Sequence, residues 1–241
     1  AEISRLKREG KDVAERLKEA ERIPEEIHSF EAKVSAVEEK ERSLLLRIPN
    51  LLHESVPYGK DETENFEVRR WGAPPKFSFE PKNHLDIALG LNMIDDERAA
   101  KVSGTGFYYF KGDLVVLDLA LIRFAVDFLR SRGYQLVEPP FMIRRKPYEG
   151  VTDLADFENV MYKVENEDLY LVATSEHPMA SMFMNETLDK KDLPIRLVWV
   201  SPCFRKEIGA RGKYARGLFR MHQFNKVEQF IFCLPEDSWK F

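Results

Sequence analysis

"CFRKEIGARGKYARGLFRMHQFNKVEQF", Cys203 to Phe230, is the stretch on which the reading of this chain turns. Two strand-like runs flank a loop, "GARGKYARG", that carries Arg211, Lys213 and Arg216 among three glycines. Side chains alternate faces along a strand. That places Arg205 with Glu207, and Arg220, His222, Phe224, Lys226 and Glu228 together on the second run. Glycines let a backbone approach a ligand closely, and arginine can grip a phosphate bidentately. A phenylalanine on the same surface offers a face for a base to stack on. One glutamate can accept from an exocyclic amine, and another can hold an ammonium. Taken singly, each residue fits a solvated hairpin face or an ordinary core. In combination, and with no Gly-Lys-Ser/Thr phosphate loop elsewhere, they describe a site for a purine nucleotide beside an amino compound.

Working outward, "FYYFKGD" predicts a strand and turn, and Leu114 to Arg132 an amphipathic helix ending near Gly133. "YQLVEPPFM" predicts a strand halted by Pro139 and Pro140, and "DLYLVATSEHPM" a strand running into a helix. Short strands mixed with helices predict an α+β, largely antiparallel domain. With 241 residues, 44% of them hydrophobic, there is enough chain for a sizeable core. The net charge of −4 confines any phosphate-binding surface to a local patch. Cys203 and Cys233 make no CxxC pair, so a reducing, cytoplasmic setting is expected. The five histidines show no metal-ligand spacing, and Asp118, Arg123 and Asp127 break the most apolar run, which therefore spans no membrane.

From Val13 to Ile48, apolar residues recur at steps of three and four, through Leu17, Ile23, Ile27, Phe30, Val34, Val37 and Leu44. The stripe is narrow, as on a coiled-coil helix that packs against another narrow stripe. Residues 1–9 read as the tail of that partner helix. Pro24 interrupts the pattern and predicts a kink or a helix that begins there. Residues 1–47 carry eleven Lys/Arg and twelve Asp/Glu, so charge gives the arm no nucleic-acid signature. Pro49, Pro57, Gly59 and a polar cluster mark 49–72 as a linker.

Cys203 to Phe230, with "VSP" before it, resembles motif 2 of the class II aminoacyl-tRNA synthetases, in the form found in the seryl branch of that family. "TSEHPM", Thr174 to Met179, resembles the branch's Thr-Ala-Glu serine-binding segment, and "RGYQLVEPPFM" resembles motif 1, the dimer-interface motif. The heptad arm with "RIPNLLHESVPYGKDETEN" matches the end of the amino-terminal tRNA-binding coiled coil. The resemblance implies three parts: a coiled-coil arm, 1–48; a linker, 49–72; and an antiparallel class II catalytic domain, 73–241, with helices flanking its sheet. The implied activity is serine–tRNA ligation: ATP and L-serine give seryl-adenylate, and the seryl group passes to tRNA(Ser), with Mg²⁺ required. A homodimer is implied, and tRNA(Sec) is a further possible partner. Motif 3 has no match before Phe241, and both ends cut through helical patterns, so a longer protein is expected. The alternative is a non-acylating paralogue that uses the arm as a tRNA- or protein-binding module.

Position by position, the resemblance gives Arg205 the ATP α-phosphate and the serine carboxylate, and Arg220 the outer phosphates. Glu207 reads the adenine amino group, Phe224 lies under the ring, and Met221 approaches ATP through its backbone. Lys206, between two of these positions, is counted with the ATP-binding residues. Thr174 and Glu176 receive the amino end of serine, and Glu228 is a further serine-contacting carboxylate. Ser175 replaces the usual alanine, is counted with the serine-binding residues, and is expected to add a hydroxyl near the substrate. Read without the resemblance, Thr174 or Ser175 is a helix N-cap with Glu176 in a first turn that favours acids.

Overall fold

The computed structural model of the chain describes residues 5, 8, 10, 12–153, 157–207 and 218–241. Two compact units divide it, Ala1–Glu67 and Val68–Phe241. The first contains one long helix, α1 (Ala14–Leu45), which is continuous through Pro24. Of the two outcomes expected at Pro24, a helix that begins there is corrected: the helix starts at Ala14. Proline costs one backbone hydrogen bond, but good helix formers flank it on both sides. An Arg22–Glu26 ion pair of 3.0 Å brackets it at the favourable i,i+4 spacing. Ile23, Ile27, Phe30, Val34, Val37 and Leu44 of the stripe are exposed. The expected partner, residues 1–9, lies outside the described residues apart from Arg5 and Arg8.

The second unit is α+β. It opens with α2 (His84–Gly90), β1 (Ile94–Asp95), α3 (Asp96–Ser103) and β2 (Tyr109–Phe110), with β1 and β2 antiparallel. The amphipathic helix α4 (Asp113–Arg130) follows, acidic at its first turn and basic at its last, as the helix dipole favours. Gly133, at φ 83°, turns the chain out of it, in the left-handed region that costs glycine least. Next come β3 (Gln135–Val137), β4 (Met142–Ile143), α5 (Arg145–Glu149), β5 (Tyr170–Leu171) and α6 (Glu176–Ala180). β4 pairs antiparallel with β5.

The two predicted strands of the opening stretch are β6 (Ile195–Phe204) and β7 (Gln223–Phe232), antiparallel over ten residue pairs. Together with β3 they form a three-stranded sheet among the described residues, in the order β3-β6-β7. β3 runs parallel to β6, which the long crossover from Glu138 to Pro194 permits. As the middle strand, β6 is covered on both sides, and Leu197, Val198 and Trp199 are all buried. Met179 of α6, Leu197 and Trp199 form one core cluster, with Val137, Phe230 and Phe232 packed against it. A second cluster, Ile143, Tyr148, Met161, Tyr170 and Val172, includes one residue from each strand of the β4–β5 pair. No described helix is long and apolar enough to cross a membrane.

Candidate active site

The candidate residues lie where β6 ends, where β7 begins, and on the turn into α6. The strand reading holds for only part of the stretch. β6 stops at Phe204, so Arg205, Lys206 and Glu207 lie beyond it, and β7 starts at Gln223, after Arg220, Met221 and His222. Glu207 has a left-handed backbone, φ 48°, as a residue turning away from a strand can. Arg205 and Glu207 thus converge from beyond the strand end and not by strand alternation. Phe224, Lys226 and Glu228 do lie on β7 and share a face. The glycine-rich loop with Arg211, Lys213 and Arg216 lies outside the described residues.

Arg205, Glu207, Arg220, Met221 and Phe224 line an open cavity of about 450 Å³, together with Leu218 and Phe219. The Arg205 guanidinium lies over the Phe224 ring, 5.3 Å from its centroid, and its Nε donates to Ala173 O at 3.0 Å. Glu207 forms an ion pair with the Arg220 Nε. Its side chain is 16% exposed against 48% for Arg220, so the carboxylate sits at the wall and the guanidinium at the mouth. Lys206 is not among the lining residues; its ammonium lies 5.8 Å from the Tyr162 ring centroid, and its backbone N–H donates to Val160 O.

Beside this cavity lies an acidic group. Lys226 Nζ donates to Thr174 Oγ1 at 2.7 Å and pairs with Glu228 Oε1 at 2.9 Å. Thr174 Oγ1 in turn donates to Glu228 Oε2 at 3.3 Å. Burial raises the Glu176 carboxyl above its ordinary range, the neighbouring Glu228 raises it further, and Lys226 and Arg205 oppose the shift. Arg205 therefore borders both regions.

The capping expectation is corrected in one respect. Ser175 makes no capping bond; its buried hydroxyl is bonded to Ser201 Oγ across to β6. The first-turn N–H of Glu176 instead donates to Thr174 Oγ1, at 3.4 Å. Ser175 faces the core, so its hydroxyl adds nothing to the open site.

Three supporting residues carry no role in the sequence reading. Tyr162 Oη and His222 Nδ1 are 2.8 Å apart, and Phe107 stacks on the His222 ring at 4.9 Å. His222 also accepts the Arg205 N–H at its carbonyl, 2.9 Å away, and so locks the two ends of the hairpin. A Cβ on Gly106 would lie 2.6 Å from the His222 ring, which explains glycine there. No sequence signal marks Tyr162 or Phe107, because they lie far from the hairpin along the chain. Lys226 was visible through its strand parity with Phe224 and Glu228.

His177, next to Glu176, is buried, and its Nδ1 has no hydrogen-bond partner among the described residues. Burial first, and then the charges of Lys226 and Arg205, lower its pKa to about 4.

Residues 161–241 match the family described as the tRNA synthetase class II core domain (G, H, P, S and T). The chain is similar to the serine–tRNA ligase of Methanoregula boonei, with 56% identity over 99% of this chain and 56% of that protein. It is 50% identical to the serine–tRNA ligase of Nitrosopumilus maritimus, over 99% of this chain and 57% of the relative. Among solved structures it is similar to a seryl-tRNA synthetase from Pyrococcus horikoshii complexed with ATP. That match has a TM-score of 0.84 and 46% identity, covering 99% of this chain and 58% of that one. A cytoplasmic serine–tRNA ligase from Naegleria fowleri in complex with AMP matches at TM-score 0.79 and 38% identity, over 89% and 52%. The chain thus spans a little over half the length of the relatives it matches.

The buried histidine sets a pH dependence. The unfolded chain takes up a proton near the ordinary value of 6.5, whereas the folded protein does so only near 4. Unfolding therefore binds more protons across that window. His177 leaves stability intact above pH 6.5 and erodes it as pH falls towards 4, by about 3 kcal/mol in all. Urea unfolding across this range should slope less steeply in His177→Gln than in the wild type.

Proposed function

We propose that this chain belongs to the class II aminoacyl-tRNA synthetase family and is the motif 1 and motif 2 part of a serine–tRNA ligase that makes seryl-adenylate from ATP and L-serine and transfers the seryl group to tRNA(Ser). The observation that carries this reading is the position of Arg205. One guanidinium lies over the Phe224 ring and is anchored by Ala173 O, immediately before Thr174. A single cation can thus face an α-phosphate and an amino-acid carboxylate together.

In this reading, adenine stacks on Phe224, and Glu207 turns from Arg220 to the adenine amino group. Arg220, released at the mouth, meets the outer phosphates. Serine's carboxylate, held at Arg205, attacks the α-phosphate in line, forming the carboxyl–phosphate bond as the bond to pyrophosphate breaks. Thr174 and Glu176 receive the ammonium, and Glu228 accepts from the hydroxyl. Catalysis rests on positioning and charge neutralisation. Mg²⁺ would be held chiefly by the nucleotide phosphates with one or two carboxylates, and would there help to neutralise their charge. Among the described residues no three-ligand cluster could hold it alone.

The division into arm (1–48), linker (49–72) and catalytic domain (73–241) is part of the proposal, as are the homodimer formed through motif 1 and a cytoplasmic location. Charging of tRNA(Sec) is a further part of the proposal, since it would use the same seryl transfer.

ATP–pyrophosphate exchange by the full-length protein against a panel of amino acids tests the reading: serine should be the strong responder. No serine-dependent exchange would overturn it and leave a binding module. Glu176→Ala and Glu228→Ala should each raise the KM for serine, since losing a charge-assisted bond costs about 1.5–3 kcal/mol, roughly ten- to a hundredfold.

Phe224→Ala should weaken ATP by about 1–3 kcal/mol, and Phe224→Tyr much less. An ATP titration beside a melting curve separates lost stacking from lost fold.

Deleting the residues before Ile48 should spare pyrophosphate exchange and lower tRNA aminoacylation by orders of magnitude. With no charge excess in the arm, tRNA affinity should fall with salt along a shallow log–log slope. Equal loss of both activities would make the arm a structural part of the catalytic domain.

A further inference from the structure

We propose that Lys226 is a specificity-determining residue that excludes diamino acids from the serine site; this rests on the serine reading above. The problem it solves is one of shape. L-serine and L-2,3-diaminopropionate have the same number of heavy atoms in the same arrangement, differing only in a hydroxyl against an ammonium on the β-carbon. A pocket's size cannot separate isosteres, so the difference must be read by charge or hydrogen bonding.

A site with two carboxylates and no cation beside them would favour the wrong molecule. Glu176 and Glu228 are close enough to act on one another, and two carboxylates suit two ammonium groups. Lys226 changes that balance. Its Nζ is 2.9 Å from Glu228 Oε1 and 2.7 Å from Thr174 Oγ1, and the Glu228 side chain is only 11% exposed. A resident ammonium thus already neutralises Glu228. With the Thr174 hydroxyl on Oε2, both oxygens hold a donor, and each keeps spare lone-pair capacity for a neutral O–H. An incoming β-ammonium would lie beside the Lys226 ammonium in a partly buried site. Like charges set side by side are a device for rejecting a wrong partner. Glu176, itself hydrogen-bonded to Glu228, is the one carboxylate of the pair with no resident cation and is left for one substrate ammonium.

Wild-type, Lys226→Gln and Lys226→Arg full-length proteins are compared in pyrophosphate exchange with L-serine and with L-2,3-diaminopropionate. The readout is the ratio of kcat/KM for the diamino acid to that for serine. It should rise about tenfold or more in Lys226→Gln and return towards wild type in Lys226→Arg. A purely structural role would lower both substrates in proportion and leave the ratio unchanged, which would overturn the inference. Lys226→Met carries the same test if the glutamine variant melts early. Absence of serine-dependent exchange in the wild type would overturn the functional reading itself, and this inference with it. Serine exchange with an unmoved ratio overturns the inference alone.

Discussion

Everything the site does depends on the pairing of β6 with β7. Ten residue pairs run from Ile195↔Phe232 to Phe204↔Gln223, and the register sets which side chains of β7 face the mouth of the cavity. A slip of one residue would send Phe224, Lys226 and Glu228 to the opposite face. The buried cluster of Leu197, Trp199 and Met179 opposes such a slip, because it would also lift Phe230 and Phe232 off the core. The register of a hydrophobic sheet thereby becomes the register of a polar site.

Arg205 converts that frame into chemistry. It stands one residue beyond the strand, held by its backbone to His222 and by its side chain to Ala173. These two bonds tie the hairpin to the segment that enters α6, where Thr174 and Glu176 are mounted. His222 is in turn fixed by Tyr162 and Phe107. The guanidinium is thus oriented through contacts from four separate parts of the chain. Preorganisation of this kind lets charge act without first spending free energy on ordering the side chain.

Legibility in the sequence followed range. α4, β6 and β7 could be read because their periodicity and end signals are local, and Phe224, Lys226 and Glu228 could be grouped by strand parity. The parallel pairing of β3 with β6 could not, since it joins residues about sixty apart with nothing local to mark it. Parity grouped Arg205 with Glu207, and both line the cavity, but from beyond the end of β6, where the left-handed Glu207 has no compositional signal. It also gave no hint that Ser175 points inward, because a serine before a short helix suits a cap as well as a core. At Pro24 the helix does not begin, because helix formers on both sides carry it through the strongest local breaker.

The Ser175–Ser201 contact makes two distant positions behave as one heritable unit. Each hydroxyl is buried, and each is chiefly satisfied by the other. Changing Ser201 to alanine strands the Ser175 hydroxyl, at about 1–3 kcal/mol, and changing Ser175 leaves Ser201 only its long contact to Cys203 Sγ at 3.7 Å, whereas changing both removes donor and acceptor together. A lineage moving between the serine pair and an alanine pair must therefore pass through a less stable intermediate. That barrier would keep the two states apart among descendants, and variation at 175 would be tied to variation at 201 even though neither side chain touches a substrate.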